Sequence, residues 1–141
     1  MFLVDTSVWI AVFRRGSQVR FDSVAEFDEL VTCLPVIQEV LQGFRDEAAF
    51  RVAREAMSAL PIVESPLRAS VFNEAIDLYR RAHRAAVTVR SGVDCLIAAC
   101  ALRHDLTVLH QDRDYGALAK VSALRVKEIR RQSWSRASRF P

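Results

Sequence analysis

The chain has 141 residues, 51% hydrophobic and 26% charged, a length close to the roughly 150 residues of one typical domain and a composition able to bury a core. No basic leader precedes an apolar stretch, and no window approaches the roughly 18 to 20 apolar residues of a membrane span. A cytoplasmic protein with no membrane association is the expectation. The net charge of +3 is uneven, because Arg130, Arg131, Arg136 and Arg139 carry four positive charges with no acid, leaving residues 1–129 at −1.

Met1 to Val4 is a short apolar run suited to a central buried strand, and the apolar residues from Val8 to Phe13 read as a helix ending near Gly16. Asp5 then stands at the carboxyl end of the strand. Phe21 to Leu30 approximates a helical stripe, "LVTCL" a second strand, and Pro35 suits the opening of the next helix, where its missing N–H does no harm. In that helix Val36, Ile37, Val40, Leu41 and Phe44 form the apolar face, with Glu39 on its flank. Residues 46–59 read as a helix, Pro61 to Val63 as a strand, and Pro66 to Arg84 as an amphipathic helix.

After the loop "AAVTVRSG", the segment "VDCLIAACAL" is apolar nearly all round, the mark of a helix buried on most sides. Its one charge is Asp94. "LTVLH" and "LRVKEI" read as the fourth and fifth strands, with "QDRDYGAL" between them as a loop turning into a short helix. Such alternation predicts an α/β fold with a mostly parallel sheet of about five strands. Residues 1–129 form the domain, and 130–141 a basic tail expected to be flexible. Cys33, Cys95 and Cys100 lack a C-x-x-C spacing and read as reduced core residues, while His83, His104 and His110 are too scattered for a zinc finger.

In open α/β sheets, sites form outside the carboxyl ends of the strands. Asp5, Glu39, Asp94 and Asp112 all fall where that rule gathers side chains, and Asp114 follows two residues on. Carboxylates brought together repel and raise one another's pKa unless a cation lies between them. Mg²⁺ or Mn²⁺, which take hard oxygen ligands, fit that need and point to phosphodiester chemistry.

Each acid also has a plainer reading. Asp5 suits the N-cap of the first helix. Glu39 suits an exposed helix position, Ser91 and Asp94 have capping-box spacing, and the aspartates of "QDRDYG" suit an ordinary loop. The joint placement favours a site.

"LVDTSVWI", "PVIQEVLQG" and "VDCLIAACALRHDLTVLHQDRDY", in this order, closely resemble a PIN-domain ribonuclease, specifically the VapC toxin of a VapBC toxin–antitoxin pair. The resemblance covers residues 1 to about 129. It implies a three-layer α/β/α fold and a metal-binding quartet of Asp5, Glu39, Asp94 and Asp112. It also implies that Asp114 assists through water and that Thr6 orients a carboxylate. Further implications are dependence on Mg²⁺ or Mn²⁺, cleavage of RNA to a 3′-hydroxyl and a 5′-phosphate, a homodimer, and inhibition by a VapB-type antitoxin.

The usual aromatic after D-x-D is phenylalanine; here it is Tyr115, expected to pack similarly. Arg14, Arg15 and Arg90 are candidates for phosphate contact. The tail follows an RNA backbone, with Trp134 or Phe140 stacking a base, or is a frayed terminus.

Two other functions are weighed. A phosphatase or receiver built on Asp5 as nucleophile is disfavoured, because residue 7 is Ser where D-x-D is needed and Lys127 lies inside its strand. A non-catalytic PIN-like module binding RNA or protein is the main alternative. It would be expected to have lost an acid, and all four are present.

Overall fold

The computed structural model describes residues 1–14 and 25–129. Arg15, the tail from Arg130 and the first part of the helix expected from Phe21 lie outside these residues.

Five strands form one parallel sheet in the order β3-β2-β1-β4-β5. They are β1 (Phe2–Val4), β2 (Leu30–Cys33), β3 (Ile62–Val63), β4 (Thr107–His110) and β5 (Arg125–Glu128). Among the described residues the α-helices are α1 (Thr6–Phe13), α2 (Leu34–Gln42), α3 (Glu47–Ser58), α4 (Ala69–Arg84), α5 (Gly92–Arg103) and α6 (Arg113–Lys120). In β1 the consecutive residues Leu3 and Val4 are both fully buried, as are Val108 and Leu109 in β4. Successive side chains of a strand point to opposite faces, so helices cover the sheet on both sides. The result is the expected three-layer α/β/α arrangement, with β5 at the exposed edge.

Three expectations are revised. The described part of the stretch from Phe21 to Leu30 holds only a 3₁₀ turn at Phe27–Glu29, and Leu30 belongs to β2. Pairing of Phe2 with Leu30 in the sheet prevails there over helical spacing. α4 starts at Ala69 rather than Pro66, with Arg68 extended at its N-cap and residues 64–66 in a bend. Ser91 precedes α5 but its side chain makes no capping bond, so Ser91 and Asp94 do not form a capping box.

β1 leads to β2 on one side and β4 to β5 on the other, which makes the pair β1 and β4 the point where strand order reverses. Crevices at such points, outside the carboxyl ends of the strands, are where open α/β sheets bind ligands. Register aligns the two ends: Val4 pairs with Leu109, and the Asp5 amide donates to the Leu109 carbonyl at 2.9 Å. α5 lies beneath this crevice. Its Ile97, Ala98, Ala99, Cys100 and Ala101 have no exposed surface, and their mostly small side chains let the helix sit deep in the core. All three cysteines are free and buried, as read from the sequence.

Candidate active site

Asp5 caps α1. Its Oδ2 accepts from the Ser7 amide at 3.0 Å and from the Ser7 hydroxyl. The same hydroxyl accepts the Gln111 amide at 3.1 Å, so one serine ties the ends of β1 and β4 together. The other Asp5 oxygen, Oδ1, accepts from the Tyr115 hydroxyl, which also lies 3.4 Å from Asp94 Oδ1.

Asp94 sits in the first turn of α5, where helix N–H groups favour negative charge. It is 5% exposed, and its Oδ2 has no hydrogen-bond partner among the described residues. Burial, and then the charges of Asp5 and Asp112, push the Asp94 carboxyl up to about 9. A buried polar atom without a partner costs about 1–3 kcal/mol. The position carries that cost unless something positive reaches the oxygen.

Asp112 and Asp114 face Asp94 from the start of α6. One ligand atom from each of the three lies within 4.8 Å of the others. Asp112 caps α6, its Oδ1 accepting from the Asp114 amide at 3.0 Å. Asp114 is 3% exposed and accepts from the Arg90 amide at 2.9 Å. The Arg90 guanidinium lies beside both acids, its Nε 3.4 Å from Asp114 and its Nη2 3.3 Å from Asp112. The loop carrying Arg90 leaves α4 through Ala86 in the left-handed region at φ 56°, where the Val87 amide returns to the Ala82 carbonyl at 2.8 Å.

Glu39, the fourth acid expected in the site, is not part of this cluster. Half-buried on α2, its Oε1 accepts from the Thr6 hydroxyl at 2.8 Å. Arg14 is exposed at the far end of α1, about 13.5 Å along the axis from Asp5 at 1.5 Å per residue. It therefore lies away from the acids. Sequence reasoning assigned no polar role to Ser7 or Tyr115. The available signal was the tyrosine itself, since a phenol in an apolar position still needs a partner for its hydroxyl.

Beside the acids opens a cavity of about 510 Å³. Arg90, His110, Arg113 and Lys120 line it together with Asp112 and Asp114. His110 is 5% exposed, with its ring 5.3 Å from that of Tyr115, and burial lowers its pKa below the ordinary histidine value. A larger cavity of about 810 Å³ lies elsewhere, between α4 and α5, lined by Phe72, Ile76, Tyr79 and Leu96 among others. Its wall is mostly apolar with Arg80, His83 and Arg84 among the lining residues, it holds no acid, and it is not where the chemistry gathers.

The donor set suits a small hard cation. Three carboxylates converge, one buried oxygen among them has no partner, and neither sulfur nor imidazole belongs to the cluster. Oxygen-only donors are those preferred by Mg²⁺ and Mn²⁺.

The PIN domain family matches residues 2–123. The chain belongs to the PIN-domain family. Ribonuclease VapC11 of Mycobacterium tuberculosis is 33% identical over 135 residues, spanning 92% of this chain and the whole of that protein. Among solved structures, VapBC2 from Rickettsia felis, bound to a DNA fragment from its promoter, superposes with a TM-score of 0.74 at 12% identity. It covers 92% of this chain and 98% of its own. DNA-bound VapBC from Salmonella typhimurium gives 0.72 at 15%, covering 90% and 96%. At those identities the structures establish a shared fold, and this PIN fold is the three-layer arrangement described above. No helix among the described residues is long and apolar enough to cross a membrane.

Proposed function

We propose that the protein is a divalent-metal-dependent endoribonuclease acting as the VapC toxin of a VapBC-type pair. The observation that carries the reading is the convergence of the Asp94, Asp112 and Asp114 carboxylates, one buried Asp94 oxygen being left without a partner among the described residues. Its relatives support the substrate class, since VapC11 is named a ribonuclease. Asp94, Asp112 and Asp114 would hold Mg²⁺ or Mn²⁺, with Asp5 beside them and Glu39 at the edge. When bound, the ion supplies an activated water and stabilises charge on the phosphate oxygens during in-line displacement. The products implied are a 3′-hydroxyl and a 5′-phosphate.

The remaining residues position. Ser7 fixes the Asp5 carboxylate, Thr6 fixes Glu39, and Arg90 holds the α6 acids. Arg113 and Lys120, on the wall of the neighbouring cavity, suit contact with a phosphate backbone. The sequence from Arg130 adds four arginines and no acid, and the PIN domain proper is taken as 1–129.

A VapB-type antitoxin is the proposed partner, because the superposed Rickettsia and Salmonella structures are VapBC assemblies. The half-exposed row of Phe72, Ile76 and Tyr79 on α4 is consistent with a protein-binding face, and a homodimer remains part of the reading.

The test is incubation of total RNA with the purified chain in Mg²⁺, in Mn²⁺ and in EDTA, alongside Asp94→Asn. Discrete fragments that need the metal and vanish in the variant are expected. Folded protein, free of antitoxin, that cuts nothing in any buffer would leave the non-catalytic PIN-like module as the better reading.

A further inference from the structure

Tyr115 is fully buried, and its hydroxyl stands between the two helix-start acids. Asp5 Oδ2 is already committed to Ser7, through both the amide and the hydroxyl. What sets the direction of the remaining oxygen, Oδ1, is the phenol donated from α6, 110 residues away in sequence. The ring has little freedom, since it packs beside His110 and follows directly on Asp114. A phenol has one proton to donate and lone pairs to accept with. The one phenol proton is shared, donated to Asp5 Oδ1 and in a second, longer contact of 3.4 Å to Asp94 Oδ1, while Asp94 Oδ2 stays buried without a partner among the described residues.

We propose that the Tyr115 hydroxyl is a positioning residue for the cation site. It joins Asp5 to Asp94 so that Asp5 is held at the edge of the Asp94, Asp112 and Asp114 cluster in one orientation. The proposal rests on the metal-site reading given above. Carboxylates that bind metals are oriented by such outer hydrogen bonds, whose loss commonly weakens metal affinity by about 10- to 100-fold. Removing only the oxygen leaves the ring to fill the same space. A packing role for Tyr115 alone would therefore leave cation affinity untouched.

The experiment is a titration of the full chain with Mn²⁺, free ion being read by electron paramagnetic resonance, for wild type, Tyr115→Phe, Asp94→Asn and Val71→Ala. Val71 is a buried residue of α4 outside the site, and its truncation controls for loss of stability. The expected result is a dissociation constant raised about tenfold in Tyr115→Phe, raised further in Asp94→Asn, and unchanged in Val71→Ala.

Tyr115→Phe that is folded by circular dichroism and binds within twofold of wild type would overturn the proposal while the metal site stands, provided Asp94→Asn is weakened. Wild type that binds no better than Asp94→Asn would overturn the metal site and the proposal together. Should Tyr115→Phe not fold, the chain with Tyr79→Phe carries Tyr115 as its one tyrosine. Mn²⁺ should then perturb the ultraviolet band of that tyrosine, and an unperturbed band at saturating Mn²⁺ would overturn the role.

Discussion

Asp5 and Asp94 open two helices on the same edge of the sheet and lie on either side of one tyrosine hydroxyl, yet their surroundings differ. At α1 the carboxylate is satisfied on both oxygens, by Ser7 on one and Tyr115 on the other. At α5 the preceding serine makes no cap, and one carboxylate oxygen is buried with no partner among the described residues. The first acid supports its own helix. The second burdens its helix, and folding tolerates it because the remainder of α5 is so thoroughly buried. An acid retained where it costs stability marks function more sharply than one that also serves the fold.

The largest effect should come from removing the burdened acid. Asp94→Asn is expected to lower metal-dependent RNA cleavage by at least about a hundredfold, since a direct ligand should matter more than outer-shell partners, which cost about 10- to 100-fold. Cleavage rates at saturating Mn²⁺ check this, and near-wild-type turnover would remove the distinction between the two helix starts.

The same acid sets a dependence on pH. In the folded protein its carboxyl is pushed up to about 9, from an ordinary value of 3.8. Between those values the folded chain holds a proton that the unfolded chain has released, so raising the pH favours unfolding. With EDTA present, stability should fall as pH rises from about 4 to about 9, by at most about 1.4 kcal/mol per pH unit from this one group. Asp94→Asn should flatten the profile and be the more stable form at neutral pH. Urea unfolding at a series of pH values measures both.

Next in size is Thr6→Val, which keeps the shape but removes the donor to Glu39. One hydrogen bond to a charged group is worth about 1.5–3 kcal/mol when formed, and Glu39 is only half-buried. A several-fold loss of turnover with little change in melting temperature is expected. The smallest effect is that of Arg90→Ala on stability, below about 1 kcal/mol, because exposed ion pairs contribute little and the Arg90 side chain is 58% exposed. Its backbone bond to Asp114 survives the substitution. RNA affinity, measured by filter binding, should fall while the urea midpoint barely moves.

The contrast also explains what the sequence disclosed. β1 and β4 were legible because strands buried on both faces are continuous apolar runs, and α5 because it is apolar nearly all round. With those elements assigned, the rule about strand ends pointed to Asp5, Glu39, Asp94 and Asp112, of which Asp94 and Asp112 cluster, with Asp114 as the third acid. Asp5 was legible as a cap as well, since that bond spans only two residues. Bonds between distant residues were not legible: Ser7 meets Gln111 across 104 positions and Tyr115 meets Asp5 across 110. Nor did spacing alone settle Ser91, which has the pattern of a capping box without its bond. The stretch before β2 misled for a related reason, as its helical spacing yields to sheet pairing that only the fold supplies.

The most direct test of the cation site is the anomalous difference map of a crystal soaked in Mn²⁺. The account predicts a strong peak bounded by the carboxylates of Asp94, Asp112 and Asp114, within coordination distance of Asp94 Oδ2. A map with no peak there, from protein whose RNA cleavage requires Mn²⁺, would contradict it.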